Sequence, residues 1–196
     1  MRHSLHIEGY GFHLRPVELT DAAFIAQMRT ADPSRVRYLH PVPPGVETQR
    51  AWLAAYFDRE GDYYWVIERR ATRQPEGLIG IYDVNRVAGS AEWGRWILSP
   101  GSLGAVESAL LVYRAAFTRI KLDSLYCLTV VDNKQVLSFH DSCGLQRMEV
   151  LKGKYALAGG VYDAVKHQCS KSGYSALVQR LEPRAKMIAQ RLCRPP

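Results

Sequence analysis

Ser99-Pro100-Gly101-Ser102-Leu103-Gly104-Ala105-Val106 is a loop that empties into a helix, and its reading decides the fold. Two glycines, a proline and two serines punctuate it. From Val106 onward, Leu110, Tyr113, Phe117 and Ile120 recur at i+4, i+7, i+11 and i+14, the stripe of a helix with one buried side. Residues 91–98, just before the loop, read as a strand. A strand, a glycine-bearing loop and a helix amino terminus make an anion site. The first backbone N–H groups of the helix have no partner inside it, and the positive end of its dipole points the same way. The candidate donors are Leu103, Gly104, Ala105 and Val106; Pro100 has no N–H to give. An ordinary tight turn would look the same, and neither G-x-x-x-x-G-K-[ST] nor G-x-G-x-x-G is present.

Upstream of this loop, residues 13–17 form a short strand and Thr20 or Asp21 caps a helix that runs to about Met28. Pro41, Pro43, Pro44 and Gly45 mark a loop before a helix with Trp52, Leu53, Tyr56 and Phe57 on its apolar side. Residues 63–69 and 77–85 read as strands parted by a turn, and Gly89-Ser90 turns into the strand 91–98. Downstream, 124–131 is apolar or β-branched at nearly every position, as in a strand buried on both faces. Residues 133–143 form a helix closed by Gly144, and 148–155 and 161–169 are strands around Gly159-Gly160. The predicted order is β-α-α-β-β-β-α-β-α-β-β: one mixed α/β domain over residues 10–170, then a basic, helical tail over 171–196.

Composition removes whole classes of function. The 196 residues are 47% apolar, 23% charged and 10% aromatic, enough for one sizeable core and not a disordered chain. No apolar run approaches the roughly 20 residues of a membrane span, and Met1-Arg2-His3-Ser4-Leu5-His6-Ile7-Glu8 lacks the apolar stretch of a signal peptide. Cys127, Cys143, Cys169 and Cys193 are scattered without a C-x-x-C pair, so no zinc cage, other metal site or disulfide framework is expected, and a reducing cytoplasm fits. The net charge is +7, but the tail holds about +5 of it through Lys171, Arg180, Arg184, Lys186, Arg191 and Arg194 against Glu182. The body is close to neutral, which argues against a nucleic-acid partner.

Two further features could carry chemistry. Asn133, Leu137 and His140 fall on one helix face, so an amide at the helix start and an imidazole two turns later could meet one polar ligand. An N-cap asparagine and a packed histidine would leave the same pattern. On the strand 91–98, simple alternation puts Glu92 on a face with Gly94, Trp96 and Leu98, beside any cleft the strand borders. No H-E-x-x-H, histidine cluster or G-x-S-x-G elbow occurs.

Together these residues resemble the GNAT superfamily of acyl-CoA-dependent N-acyltransferases over nearly the whole domain. Leu14-Arg15-Pro16 followed by Asp21 is similar to the family's opening. Glu92-Trp93-Gly94-Arg95-Trp96-Ile97-Leu98 is similar to its bulged fourth strand, and the loop at 99–106 to its pyrophosphate loop. Asn133, His140 and Gly144-Leu145 reproduce the family's Asn-x6-Tyr-x3-Gly-Phe spacing. Tyr63-Tyr64-Trp65-Val66-Ile67, Val150-Leu151-Lys152-Gly153 and Val161-Tyr162-Asp163 look most like the branch that acetylates the 4-amine of a UDP-linked amino sugar in the pseudaminic-acid pathway, with stretches shared by N-terminal protein acetyltransferases. Only the last position of the family's Gln/Arg-x-x-Gly-x-Gly/Ala loop fits, and His140 stands where the family has a tyrosine acid.

The resemblance implies acetyl-CoA as co-substrate and direct attack by an amine on the thioester. Trp96, Ile97 and Leu98 would line the pantetheine arm, and Leu103, Gly104, Ala105 and Val106 would hold the pyrophosphate. Asn133 would bond the pantetheine, Glu92 would relay the amine proton, and His140 would be the general acid. The acceptor would be a UDP- or dTDP-linked amino sugar. Peptide N-terminal acetylation and a catalytically silent acyl-CoA-binding module stand as alternatives, and a homodimer is left open.

Overall fold

The first five strands zigzag into an antiparallel meander, and the sixth joins it parallel after a helical crossover. The computed structural model describes residues 3–157 and 159–193, with Arg35 followed along its backbone only; Met1, Arg2 and Arg194, named above, lie outside the described residues. The meander comprises β1 (Ile7–Glu8), β2 (Phe12–Pro16), β3 (Tyr63–Arg69), β4 (Pro75–Asn85) and β5 (Ser90–Leu98). Between β2 and β3 lie a 3-10 turn (Leu19–Asp21), α1 (Ala22–Thr30), α2 (Pro33–Val36) and α3 (Val46–Tyr56). Then come α4 (Ala105–Arg114), a π-helical turn (Ala115–Ile120), β6 (Ser124–Val130), α5 (Lys134–Ser142), β7 (Gln146–Leu157), β8 (Gly160–Ser170) and α6 (Tyr174–Leu192). The sheet order is β1-β2-β3-β4-β5-β6-β8-β7. Only the β5–β6 pair is parallel, and a parallel neighbour needs a crossover, which α4 supplies.

The predicted mixed α/β class is the one observed. The short β1, the single turn of α2 and the π-helical turn had no signal in the periodicity. The sheet is covered on both sides. On one face Phe12, Leu14, Trp65, Ile67, Ile79, Ile81 and Trp93 pack under α4 and α6. On the other, Tyr64, Val66, Leu78 and Ile97 pack with Ile25 of α1 and with Leu53 and Tyr56 of α3. Within α4, Leu110 and Leu111 are fully buried, and each such side chain contributes roughly 1.5–3 kcal/mol of transfer free energy. The buried Glu107 in its first turn accepts N–H groups of Gly11 at 3.1 Å and Phe12 at 3.3 Å, and that of Tyr10 as well, tying the helix start to the β1–β2 turn.

One boundary moves. The tail expected outside the domain forms α6, whose Leu177, Leu181 and Ala185 belong to the same core as α4. Its basic residues Arg180, Arg184, Lys186 and Arg191 are exposed on the other side. No described helix is long and apolar enough to cross a membrane.

Candidate active site

β5 and β6 begin as neighbours and then part. They pair only through Ser90–Ser124, Ala91–Leu125 and Glu92–Tyr126, although β5 runs on to Leu98 and β6 to Val130. Beyond Glu92 no ladder joins β5 to β6 among the described residues, which leaves room for an extended ligand between the two strands. A β-bulge drives the separation. The β4–β5 register slips between Leu78–Ile97 and Gly80–Gly94, and Arg95 occupies the left-handed region at φ 50°. A bulge inserts a residue, bends the strand and increases its twist. Arg95 is held there by both oxygens of Asp62, at 2.5 and 2.8 Å, and its guanidinium lies 4.5 Å from the centre of the Tyr82 ring.

The bulge also corrects the expected faces. Simple alternation grouped Glu92 with Trp96 and Leu98. Instead Trp96 and Leu98 pack towards the α4 side of the sheet, while Glu92 meets Tyr82 and Ile97 lies under α1 and α3. The extra residue at Arg95 shifts the alternation by one.

A cavity of about 1030 Å³ opens where the strands part. Glu92, Trp96, Ile97, Leu98, Ala105, Asn133 and His140 all line it, so one space gathers most of the residues singled out in the sequence. Leu103, Gly104 and Val106 do not line it. Leu103 is 46% exposed on the loop, and Val106 packs against the α4 core. Gly104 does not fit as a free donor, because its N–H is already engaged by Ser102 Oγ at 3.1 Å. No backbone acceptor among the described residues takes the N–H of Leu103, Ala105 or Val106, so the helix start keeps an anion-binding edge. Asn133 caps α5, its Oδ1 accepting from Val136 N at 3.4 Å, and also reaches the cavity wall.

The two titratable candidates sit in different environments. Glu92 is 8% exposed, and burial raises its pKa above the usual carboxylate value; the Tyr82 hydroxyl donates to its Oε1 at 3.0 Å and works against that rise. His140 is 2% exposed, among the rings of Trp93 at 5.4 Å, Phe139 at 5.7 Å and His167 at 5.3 Å. Burial first, and His167 second, push its pKa down to about 3, and its Nδ1 has no partner. A ring that stays neutral in the physiological range keeps one N–H but not the far more acidic imidazolium proton. Burial therefore disfavours the protonated form that the expected general-acid role of His140 would need.

The sequence reading missed one whole wall of the cavity. Arg29 at the end of α1, Arg37, Tyr38 and His40 in the following loop, Trp52 on α3, Tyr82 on β4 and Lys154 and Tyr155 on β7 all line it. The loop after α1 carries no motif that could have announced it. Tyr82 was within reach, since the β4–β5 hairpin register sets it opposite Glu92.

Comparison with known proteins agrees with this geometry. The family described as the acetyltransferase (GNAT) domain matches residues 12–146. A search of curated proteins gives no significant match. Among solved structures, apo FdhC, a nucleotide-linked sugar GNAT, is 28% identical with a TM-score of 0.77, covering 94% of this chain and 98% of its own. Spermidine N-acetyltransferase from Vibrio cholerae, in complex with CoA and spermine, has a TM-score of 0.77 at 19% identity, covering 85% and 99%; at that identity it attests the fold alone. The family match spans most of the chain. The chain thus belongs to the GNAT acetyltransferase family, an acyltransferase with acetyl-CoA as its co-substrate.

Proposed function

We propose that this enzyme transfers an acetyl group from acetyl-CoA to the primary amine of a nucleotide-linked amino sugar. The pantetheine arm lies along the cavity wall formed by Trp96, Ile97 and Leu98 of β5, with Asn133 bonding it from the start of α5. The pyrophosphate rests on the free N–H groups of Leu103, Ala105 and Val106. The amine attacks the thioester carbon directly, and its proton goes to Glu92, whose raised proton affinity suits a base working near neutrality. Neutral His140 packs beneath the thioester, and solvent in the cavity supplies the proton of the leaving thiolate.

The charge of the acceptor wall carries the choice of substrate. Arg29, Arg37 and Lys154 line it and have no carboxylate partner among the described residues, while the acidic lining is Glu92 and Asp83. A polyamine would bring further positive charge to that wall, whereas a sugar on a nucleoside diphosphate brings the complementary charge. The likeness to FdhC supports the same reading. The UDP-linked 4-amino sugar of the pseudaminic-acid pathway is one member of this class. Saturation kinetics with UDP- and dTDP-linked amino sugars against spermidine test the reading. A kcat/KM for spermidine above that of every sugar would reject it.

A further inference from the structure

The Tyr82 hydroxyl lies 3.0 Å from Glu92 Oε1, and both side chains line the cavity. Glu92 Oε2 has no protein hydrogen-bond partner among the described residues. A Cβ added at Gly94 would stand 2.4 Å from Tyr82 Oη, well inside the ordinary contact distance of 3.4 Å. Gly94 has a negative φ, so glycine is needed there for space and not for backbone freedom. On its far side the Tyr82 ring is held under the Arg95 guanidinium, itself fixed by Asp62. Three features of β4 and β5 thus converge on one hydroxyl: the bulge, the missing side chain and the stacked cation.

We propose that Tyr82 is a positioning residue for Glu92: its hydroxyl fixes Oε1, so that Oε2 faces the acceptor amine, and Gly94 leaves that hydroxyl its place. This rests on the reading of Glu92 as the base. In the step itself the C–N bond forms, the C–S bond breaks with its electron pair leaving on sulfur, and the proton on nitrogen passes to Oε2. Tyr82 keeps its own proton, because burial and the adjacent carboxylate raise its pKa well above the usual value. The other groups facing Glu92 are Asp83 from β4, Arg95 from β5, Tyr126 and Cys127 from β6, and Lys154 and Tyr155 from β7. Asp83 raises its proton affinity, and Lys154 and Arg95 lower it. Among the described residues, Tyr82 is the one that hydrogen-bonds its carboxylate.

The test is the pH dependence of kcat/KM for wild type, Tyr82→Phe, Gly94→Ala and the double variant, with circular dichroism to verify folding. Removing the donor leaves the carboxylate less stabilised, so the acid limb moves to higher pH. Activity at the acid end should fall roughly 10- to 100-fold, with much of the loss recovered at alkaline pH. Because both substitutions break one bond, their effects should not add in the double variant. A folded Tyr82→Phe with the wild-type limb overturns the proposal, as does a uniform loss at every pH, which marks mere packing. Glu92→Gln separates the two levels. If it is inactive while the Tyr82→Phe limb stays put, the positioning role alone fails. If it keeps wild-type turnover, the base reading fails and Tyr82 has nothing to position.

Discussion

Replacing His140 with phenylalanine should make the protein less sensitive to acid, by an amount that follows from the burial of the ring. In the native state its pKa is about 3 against 6.5 unperturbed, with desolvation as the main cause. Above pH 6.5 the imidazole is neutral in both folded and unfolded chains, and pH has no leverage through it. Between 6.5 and about 3 the unfolded chain binds a proton that the folded chain refuses, so stability falls as pH falls. At pH 5 the unfolded ring is almost fully protonated and the folded ring almost fully neutral, a cost of about 2 kcal/mol from this residue. Phenylalanine keeps a flat ring among Trp93, Trp96 and Phe139 but cannot titrate. Any packing loss it causes is the same at every pH and cancels in the comparison, as does His167, which titrates in both proteins. Urea unfolding at pH 7 and pH 5 should show wild type losing about 2 kcal/mol more than His140→Phe over that interval. Parallel losses would mean that the ring titrates near its ordinary pKa, and a role for His140 as proton donor would then return.

Two other perturbations address the two halves of the cavity. Ala105→Pro removes one of the free N–H groups at the start of α4 and disturbs the turn before it, so calorimetry should show coenzyme A binding severely weakened; unchanged affinity in a folded variant would move the pyrophosphate elsewhere. Arg29→Met removes a cation whose Nε has no partner and whose Nη2 donates to the carbonyl of His40 at 2.6 Å, with the Tyr64 hydroxyl also beside the guanidinium. Losing one charge-assisted contact to a phosphate is worth roughly 1.5–3 kcal/mol, so the Kd for UDP or dTDP should rise roughly 10- to 150-fold. Equal affinity of wild type and variant would show that the acceptor's charge is read by other groups.

The sheet was legible because its signals are local. Residues 63–67 and 125–130 are continuous apolar or β-branched runs, and the stripe from Leu110 to Ile120 marks the crossover helix before any contact is known. The helix start at Ala105 was legible from the same stretch, since a helix following a glycine-bearing loop is a local arrangement too. What failed was what depends on a neighbour. Arg95 gives no hint in sequence that it takes a positive φ, yet that one residue reverses which of Glu92, Trp96 and Leu98 share a face. Burial decides the protonation of His140, and burial is set by Trp93, Phe139 and His167 arriving from three separate elements. The cavity wall that the sequence reading missed is assembled from α1 and the loop that follows it, α3, β4 and β7, each contributing a few residues with no shared spacing to read.

The most direct measurement is mass spectrometry of the purified protein incubated with acetyl-CoA and a panel of UDP- and dTDP-linked amino sugars, with spermidine and an N-terminal peptide as comparison amines. Free coenzyme A should appear together with a sugar nucleotide heavier by one acetyl group, with the acetyl on its primary amine, and Glu92→Gln should slow that product by about 10²- to 10⁴-fold. Acetyl transfer to spermidine or the peptide but to none of the sugars, or binding of acetyl-CoA with no acetylated amine at all, would contradict the account.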